Sequence, residues 1–561
     1  MAAQLNRFII IIITVLCFTL AACGSDTVGS LIGGKEVVVS MVYGSEKRDW
    51  LEPLIANYNA AENKTADGST IVIEAKAMGS IEAIDAILSG QIQPVVWSPA
   101  SSVYLPVAEA RWQEQYGKEL AVKAPSDLVL SPVVIAMWQP MAEALGWPDK
   151  PLGWSDISEL AISDEGWAAY GYPEWGKFKF GHTHPDFSNS GLVAILAQAY
   201  AGAGKQRGLT ADDLLSPELT QFMEQVESSI IHYGSSTGFF ADTMFNRGPS
   251  YLSATVMYEN LVVAQESKRL SGESAQTPVV AIYPKEGTFW TNNPYVILNA
   301  DWVSDTQKEA AEAFEAYLLD RPQQEQAVAL GFRPADPSIP LGSPLDTDHG
   351  VDPNQPQTVL EVPPADVIEN TQYLWRQAKR PVDLALVVDT SGSMSGDKIN
   401  TARTSLVEFI NQLSNRDRVQ IVLFNSSVSV LSPLTPLADK REDMVRRVSG
   451  IIEGGDTSLY DATLEAYQQI EENGDPDHIR AVVVLSDGED TSSVRSWQEV
   501  LQEIGTTGEE GGNAIKIFTI AFGDGADTTV LQQMAEPTGG KQFTGDPATI
   551  DEVYAEIALF F

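Results

Sequence analysis

Cysteine is almost absent. Among 561 residues there are two, Cys17 and Cys23, both near the start. Their positions exclude a disulfide framework, a cysteine-ligated zinc site and a thiol nucleophile from all that follows. Histidine is scarce as well, with five. His182 and His184 flank Thr183, but no obvious third ligand accompanies them, and they read as loop residues rather than a metal pair. Positive charge is also in deficit: 36 Lys and Arg stand against 76 Asp and Glu, a formal net charge of -40. Such a chain repels phosphate backbones, which argues against nucleic acid as a partner. The charge suits solubility in an external or salty medium. The sequence has no complete phosphate-binding loop, no GxSxG elbow and no HExxH helix. Ser395-x-x-Lys398 matches the S-x-x-K of serine acylases, yet Ser-Asp-Asn and Lys-Thr-Gly do not occur, so the match reads as chance at a helix start. Without an activated nucleophile or base, the chain reads as a binding protein and not an enzyme.

The apolar run from Phe8 to about Leu20 follows Arg7 and ends in small residues. It is short for a membrane span and reads as a secretory signal. Leu20-Ala21-Ala22-Cys23 resembles the lipobox of bacterial lipoproteins. The resemblance implies removal of residues 1–22, lipidation of Cys23, and a chain anchored outside the cytoplasm on the cell membrane or envelope. Residues 23–35 then form a flexible tether.

What is present is globular: 44% of the residues are apolar, and the length calls for two or three domains. From Lys35, short β-rich runs alternate with helical ones. Val37 to Tyr43 ends in Gly44-Ser45, Thr70 to Ala75 leads to Gly79-Ser80, and Val95 to Trp97 runs into Ser98-Pro99-Ala100-Ser101-Ser102. Strands that finish in small hydroxyl residues, followed by helices near 47–60 and 81–89, predict α/β architecture with a polar crevice at the strand ends. A ligand there would meet Ser45, Ser80, Ser98 and Ser101, then Asn189 and Ser190 at the start of a helix, and Tyr258 and Glu259 after a strand. Helix amides attract anions, whereas a carboxylate disfavours them, so sugars, amines and peptides stay open. Asn189 and Ser190 serve equally well as caps.

Tyr43-Gly44-Ser45-Glu46-Lys47, Trp97 to Ser102, the apolar strand Leu128 to Trp138 and Tyr283 to Trp290 resemble the type II extracellular solute-binding proteins of ABC importers. The resemblance covers about 36–378 and implies two α/β lobes joined by crossing strands near 128–138 and 253–283, with solute in the cleft between them. Residues 336–364, rich in Pro and Asp, read as a wrapping extension before a helix at 364–379.

In the second half, the apolar run Val382 to Val388 ends in Asp389-Thr390-Ser391-Gly392-Ser393. It predicts a buried parallel strand that delivers oxygen donors to one point. Carboxylate and hydroxyls suit a magnesium or calcium ion. A helical stripe at 399, 402, 406, 409, 410 and 413 follows, then strands near 419–424, 481–485 and 515–522 with helices between them, which is a doubly wound, mainly parallel sheet. Gly454-Gly455-Asp456-Thr457 and Ser486-Asp487 fall on two further loops. These pieces resemble the von Willebrand factor type A domain, over 379–561, and its metal-ion-dependent adhesion site. The resemblance implies that Ser391, Ser393 and Thr457 touch Mg²⁺, or Ca²⁺ or Mn²⁺, while Asp389 and Asp487 hold it directly or through water. A protein partner's Asp or Glu would complete the shell.

The expectation is therefore a lipid-anchored surface protein that binds a small solute in its first domain and a protein partner through Mg²⁺ in its second. The alternative is the receptor of an ABC permease with an accessory docking domain.

Overall fold

β-Branched runs form the first strands. Glu36–Tyr43 (β1), Thr70–Ala77 (β2) and Val96–Ser98 (β3) lie parallel, with β1 paired to β2 from Glu36 to Tyr43. The computed structural model describes residues 35–561 apart from 235, 506–514, 524 and 559. The expected signal, Cys23 and nearly all of the tether lie outside the described residues.

Five strands make the first sheet, in the order β2-β1-β3-β11-β4, where β4 is Ser126–Asp127 and β11 is Pro294–Ile297. The second sheet is built on Val129–Trp138 (β5), buried along almost its whole length. Around it stand Phe180–Thr183 (β6), Ile230–Gly234 (β7), Ala254–Tyr258 (β8), Val279–Ile282 (β9), Trp290–Thr291 (β10) and Arg333–Pro334 (β12). The chain thus passes between the sheets three times, from β4 to β5, from β10 to β11 and from β11 to β12. The second passage lies at 290–294, not at the expected 253–283. Both β8 and β9 are apolar, fully buried partners of β5 and stay within its sheet. The change of sheet needs a break, and Asn292-Asn293-Pro294 supplies it. Asn293 has φ 47, a left-handed value that Asn tolerates better than most residues. Its side-chain amide donates to the Val129 carbonyl at 3.0 Å, tying the first two passages together. Residues 336–364 wrap the second lobe, with Gly350 accepting from Ala281 and Thr358 from Thr288, and end in the helix Ala365–Ala378.

The last sheet has the order β15-β14-β13-β16-β17-β18. Val382–Asp389 (β13) is central, flanked by Arg418–Phe424 (β14) and Ile479–Ser486 (β16), then Lys516–Phe522 (β17) and Gln542–Gly545 (β18). All these pairs are parallel, and only the edge strand Val428–Pro436 (β15) is antiparallel. Side-chain alternation sends Leu384, Leu386 and Val388 of β13 into one core with Ile399, Leu406 and Ile557, and Ala385 and Val387 into another with Leu459, Ile470 and Leu531. Two covered faces explain the uninterrupted apolar run.

This unit leans on the second lobe through its final turn. The Tyr233 amide donates to the Phe560 carbonyl, His232 stacks on the Phe560 ring, and Arg380 donates to the Ile230 carbonyl at 2.8 Å. Burial pushes His232 well below its ordinary value, with Lys516 and Arg247 adding to the effect. Burial does the same to His184, aided by Lys379, His182 and Arg376. Both rings are therefore neutral in the fold, while an unfolded histidine takes up its proton as pH falls through about 6.5. Stability held above that pH is lost as pH drops below it, by up to about 1.4 kcal/mol per unit per ring. Urea midpoints at pH 7 and pH 5 should show the fall, and His232→Phe should reduce it. A midpoint unchanged between these pH values would contradict the buried, neutral state.

Candidate metal centre and solute cleft

Parallel pairing of β13 with β16, Val388 opposite Leu485, brings Asp389 beside Ser486 and Asp487 at one sheet edge. Asp389 is fully buried. One of its oxygens accepts from the Ser391 amide and the other from the Ser486 hydroxyl, both at 2.8 Å. Ser391 Oγ lies 2.9 Å from Ser393 Oγ, and Ser393 donates to Asp487 Oδ1 at 2.7 Å. Four of the five expected ligands therefore form one connected cluster. The fifth, Thr457, stands on the next loop, which reaches the cluster through backbone: Gly392 donates to the Gly455 carbonyl and Gly454 to that of Thr390. Gly455 has φ 97, and a Cβ there would meet Ser426 Oγ at 2.7 Å, so the approach requires glycine. The Thr457 amide accepts no role in the cluster; it donates to the Thr491 hydroxyl at 2.9 Å.

Burial raises the Asp389 carboxyl above the usual range, partly offset by its bonds to Ser391 and Ser486, and the Asp487 charge raises it further. Two adjacent carboxylates with hydroxyl neighbours are what a hard divalent cation neutralises, so the donor set fits one. Two participants were not foreseen as such. Ser486 was legible only as the residue before Asp487. Lys398 was visible only in a chance motif, yet its ammonium donates to Asp487 Oδ2 at 2.6 Å. A cation at this site would share Asp487 with that ammonium. Lys398→Met should therefore tighten Mg²⁺ binding by about fivefold, the upper range for a partly exposed ion pair. Calorimetric titration checks this, and unchanged or weaker binding would remove Lys398 from the site's electrostatics.

Between the two sheets of the first half lies a cavity of about 1450 Å³. Ser45, Ser80, Asn189 and Tyr258 line it. Asn189 donates to the Tyr258 hydroxyl at 3.2 Å, and Thr237 donates to the same oxygen. Burial pushes the Tyr258 phenol up, and the nearby Glu46 charge adds to the shift. The other four expected residues do not line it. Ser98 is fully buried, and its carbonyl serves the Gly44 amide and the Lys47 ammonium. Ser101 caps the following turn, accepting from the Val103 amide. Ser190 is held between Thr183 and Thr237. Glu259 is fully buried and accepts two bonds from Arg333, at 2.6 and 2.8 Å, and one from Tyr283. The sequence pattern identified strand ends, but which side chain at a strand end faces the crevice depends on how the backbone leaves the sheet. Glu46, Thr237 and Asp242 also line the cavity; no local pattern distinguishes them. His182 and His184 belong to the packing behind it: His182 contacts Glu227 at 3.0 Å, and the His184 ring lies 4.9 Å from Trp375.

Among known families, "Bacterial extracellular solute-binding protein" matches residues 39–333, and "von Willebrand factor type A domain" matches residues 383–553. The uncharacterized protein Rv1836c of Mycobacterium tuberculosis is 24% identical over 327 residues, covering 56% of this chain and 45% of its own length. Inter-alpha-trypsin inhibitor heavy chain H4 of Homo sapiens is 27% identical over 170 residues, 28% of this chain and 18% of that protein. The chain thus spans less than half the length of these relatives. Among solved structures, a periplasmic thiamin binding protein is similar at 14% identity and TM-score 0.43, over 61% of this chain and 96% of that one. A von Willebrand factor type A protein from Catenulispora acidiphila is similar at 19% identity and TM-score 0.28, over 32% and 42%. The chain belongs to the bacterial extracellular solute-binding proteins and carries a von Willebrand factor type A domain behind its solute-binding domain.

Proposed function

We propose that this protein is an extracytoplasmic receptor with two binding sites, one for a small solute in the cleft of the first domain and one for a protein partner at a divalent cation in the second. The observation that carries the second site is the cluster of Asp389, Ser391, Ser393 and Asp487 at one sheet edge. Asp389, Ser391, Ser393, Thr457 and Asp487 would hold Mg²⁺, and the ion, when bound, would offer a coordination position to a carboxylate of the partner. Ser391, Ser393 and Thr457 contribute no charge, so no negative charge beyond that of the two aspartates would oppose the partner's carboxylate at the ion. The first site rests on a cavity between two lobes with Asn189 and Tyr258 on its wall. Cys23 would carry the lipid that keeps both sites at the membrane surface.

Native mass spectrometry of the chain purified without denaturation tests the first site, and a bound small molecule is the expected result. A cleft that is empty and stays unresponsive to a broad solute panel would overturn it. Labelling with radioactive palmitate in a bacterial host, compared with Cys23→Ser, tests the anchor. Equal label in both would overturn it.

A further inference from the structure

We propose that the solute is an organic cation carrying N–H donors, an amine or guanidinium, and that the von Willebrand factor type A domain supplies part of its site through Glu552. This rests on the reading of the cleft as a solute site.

The cavity is walled on three sides. Besides the two lobes, the helix Ile550–Ala558 of the second domain contributes Glu552 and Ala555. Six carboxylates line the cavity against two basic side chains, Arg48 and Lys76. Several of these charges are already matched. Glu46 pairs with the buried Lys47 at 2.7 Å, Asp85 with Arg111 at 2.7 Å, and Arg48 with Glu52 at 3.6 Å. Asp49, Glu82, Asp242 and Glu552 remain, with no cation at ion-pair distance among the described residues. Lys76 alone opposes them. The field inside favours a cation, and low-dielectric walls strengthen it.

One feature that would draw an anion is already opposed by the chain's own carboxylate. Two helices begin at the cavity, Ser80–Leu88 and Asn189–Gly202, and helix amides are ordinarily anion sites. At the first of them the Gly79 amide donates to Glu82 at 3.3 Å, which sets a carboxylate where an anion would sit. That carboxylate disfavours an oxyanion at this helix end.

One unmatched group points to the ligand's hydrogen bonding. Asn189 is 5% exposed, lines the cavity, and its Oδ1 has no partner among the described residues. A buried carbonyl oxygen without a donor is destabilising, and an N–H from the ligand would relieve it. Tyr258 and the half-exposed Phe187 add aromatic faces to the same cavity, surfaces on which a cation is stabilised.

The test is calorimetric titration of the full chain at low and high salt with spermidine, agmatine, tetramethylammonium, sulfate and glucose. The expected result is binding of spermidine or agmatine that weakens with salt, with tetramethylammonium, which lacks N–H, weaker than either. Asp242→Asn and Glu552→Gln should each weaken that binding by about two- to fivefold, as removal of a partly exposed charge does. Both substitutions are at polar positions, and circular dichroism verifies that the variants fold. Sulfate or glucose binding without amine binding would overturn the cationic ligand while leaving the receptor reading standing. Failure of every compound would overturn the cationic ligand and count against the receptor reading as well. Amine binding unaffected by Glu552→Gln would remove the second domain from the site.

Discussion

Asp389→Asn should abolish the stabilisation that Mg²⁺ gives the intact chain. A ligand that binds only the folded state, present at a hundred times its dissociation constant, stabilises by about 2.7 kcal/mol. For a unit of this size, that corresponds to roughly 5–10 °C in the melting temperature of the second domain. The substitution removes a charge while keeping a side chain able to accept from the Ser391 amide. Burial already opposes ionisation of Asp389, so the variant in EDTA should melt close to the parent in EDTA. The two effects therefore separate: metal response lost, metal-free fold retained. Scanning calorimetry in Mg²⁺ and in EDTA reads both. A parent that ignores Mg²⁺, or a variant that responds like the parent, would sink the cation site.

The second large effect is expected at a residue that lines neither site. Arg333→Ala should destabilise the first domain by about 3–5 kcal/mol, the usual consequence of leaving a buried charge without its partner. Glu259 is 0% exposed, and Arg333 meets it with two bonds while donating to the carbonyls of Asp352 and Pro353 at 3.1 Å each. The guanidinium also lies 5.4 Å from the Trp290 ring. One side chain thus fastens the 336–364 wrap to the second lobe. Replacing both partners, Glu259→Leu with Arg333→Met, should recover much of the loss, because the penalty belongs to the orphaned charge and not to the pair. Urea unfolding of the single and double variants measures this. A single variant within 1 kcal/mol of the parent would show that Glu259 reaches water.

These residues also show where sequence reading stops. The metal cluster was legible because it is made by strand ends: apolar runs locate β13 and β16, and parallel pairing puts whatever follows them side by side. The solute cleft was legible only in outline. Ser98 and Tyr258 both end strands, yet one faces inward and the other lines the cavity, and that depends on backbone direction after the sheet. Glu259 follows Tyr258 directly and points the opposite way, into an ion pair with a residue 74 positions later. The second passage between lobes was misplaced because β8 and β9 have the composition of crossing strands. The actual passage is marked only by Asn292-Asn293-Pro294. Glu552 had no local signature at all, since its place in the cavity depends on one domain resting against another.

The order of strands in the first sheet governs how the chain is born. β11 lies between β3 and β4, although it is made well after both. Until residue 297 has emerged from the ribosome, β3 presents a bare edge and the first lobe cannot close. The second lobe's sheet, by contrast, draws on the nearly contiguous stretch 129–291, with only β12 added later. The first lobe therefore waits through some two hundred residues of synthesis for its missing strand, whereas the second lacks only β12 once residue 291 has been made. An exposed strand edge over that interval is a template for wrong pairing. For a receptor acting outside the cytoplasm, as proposed above, this would favour keeping the chain unfolded until export is complete.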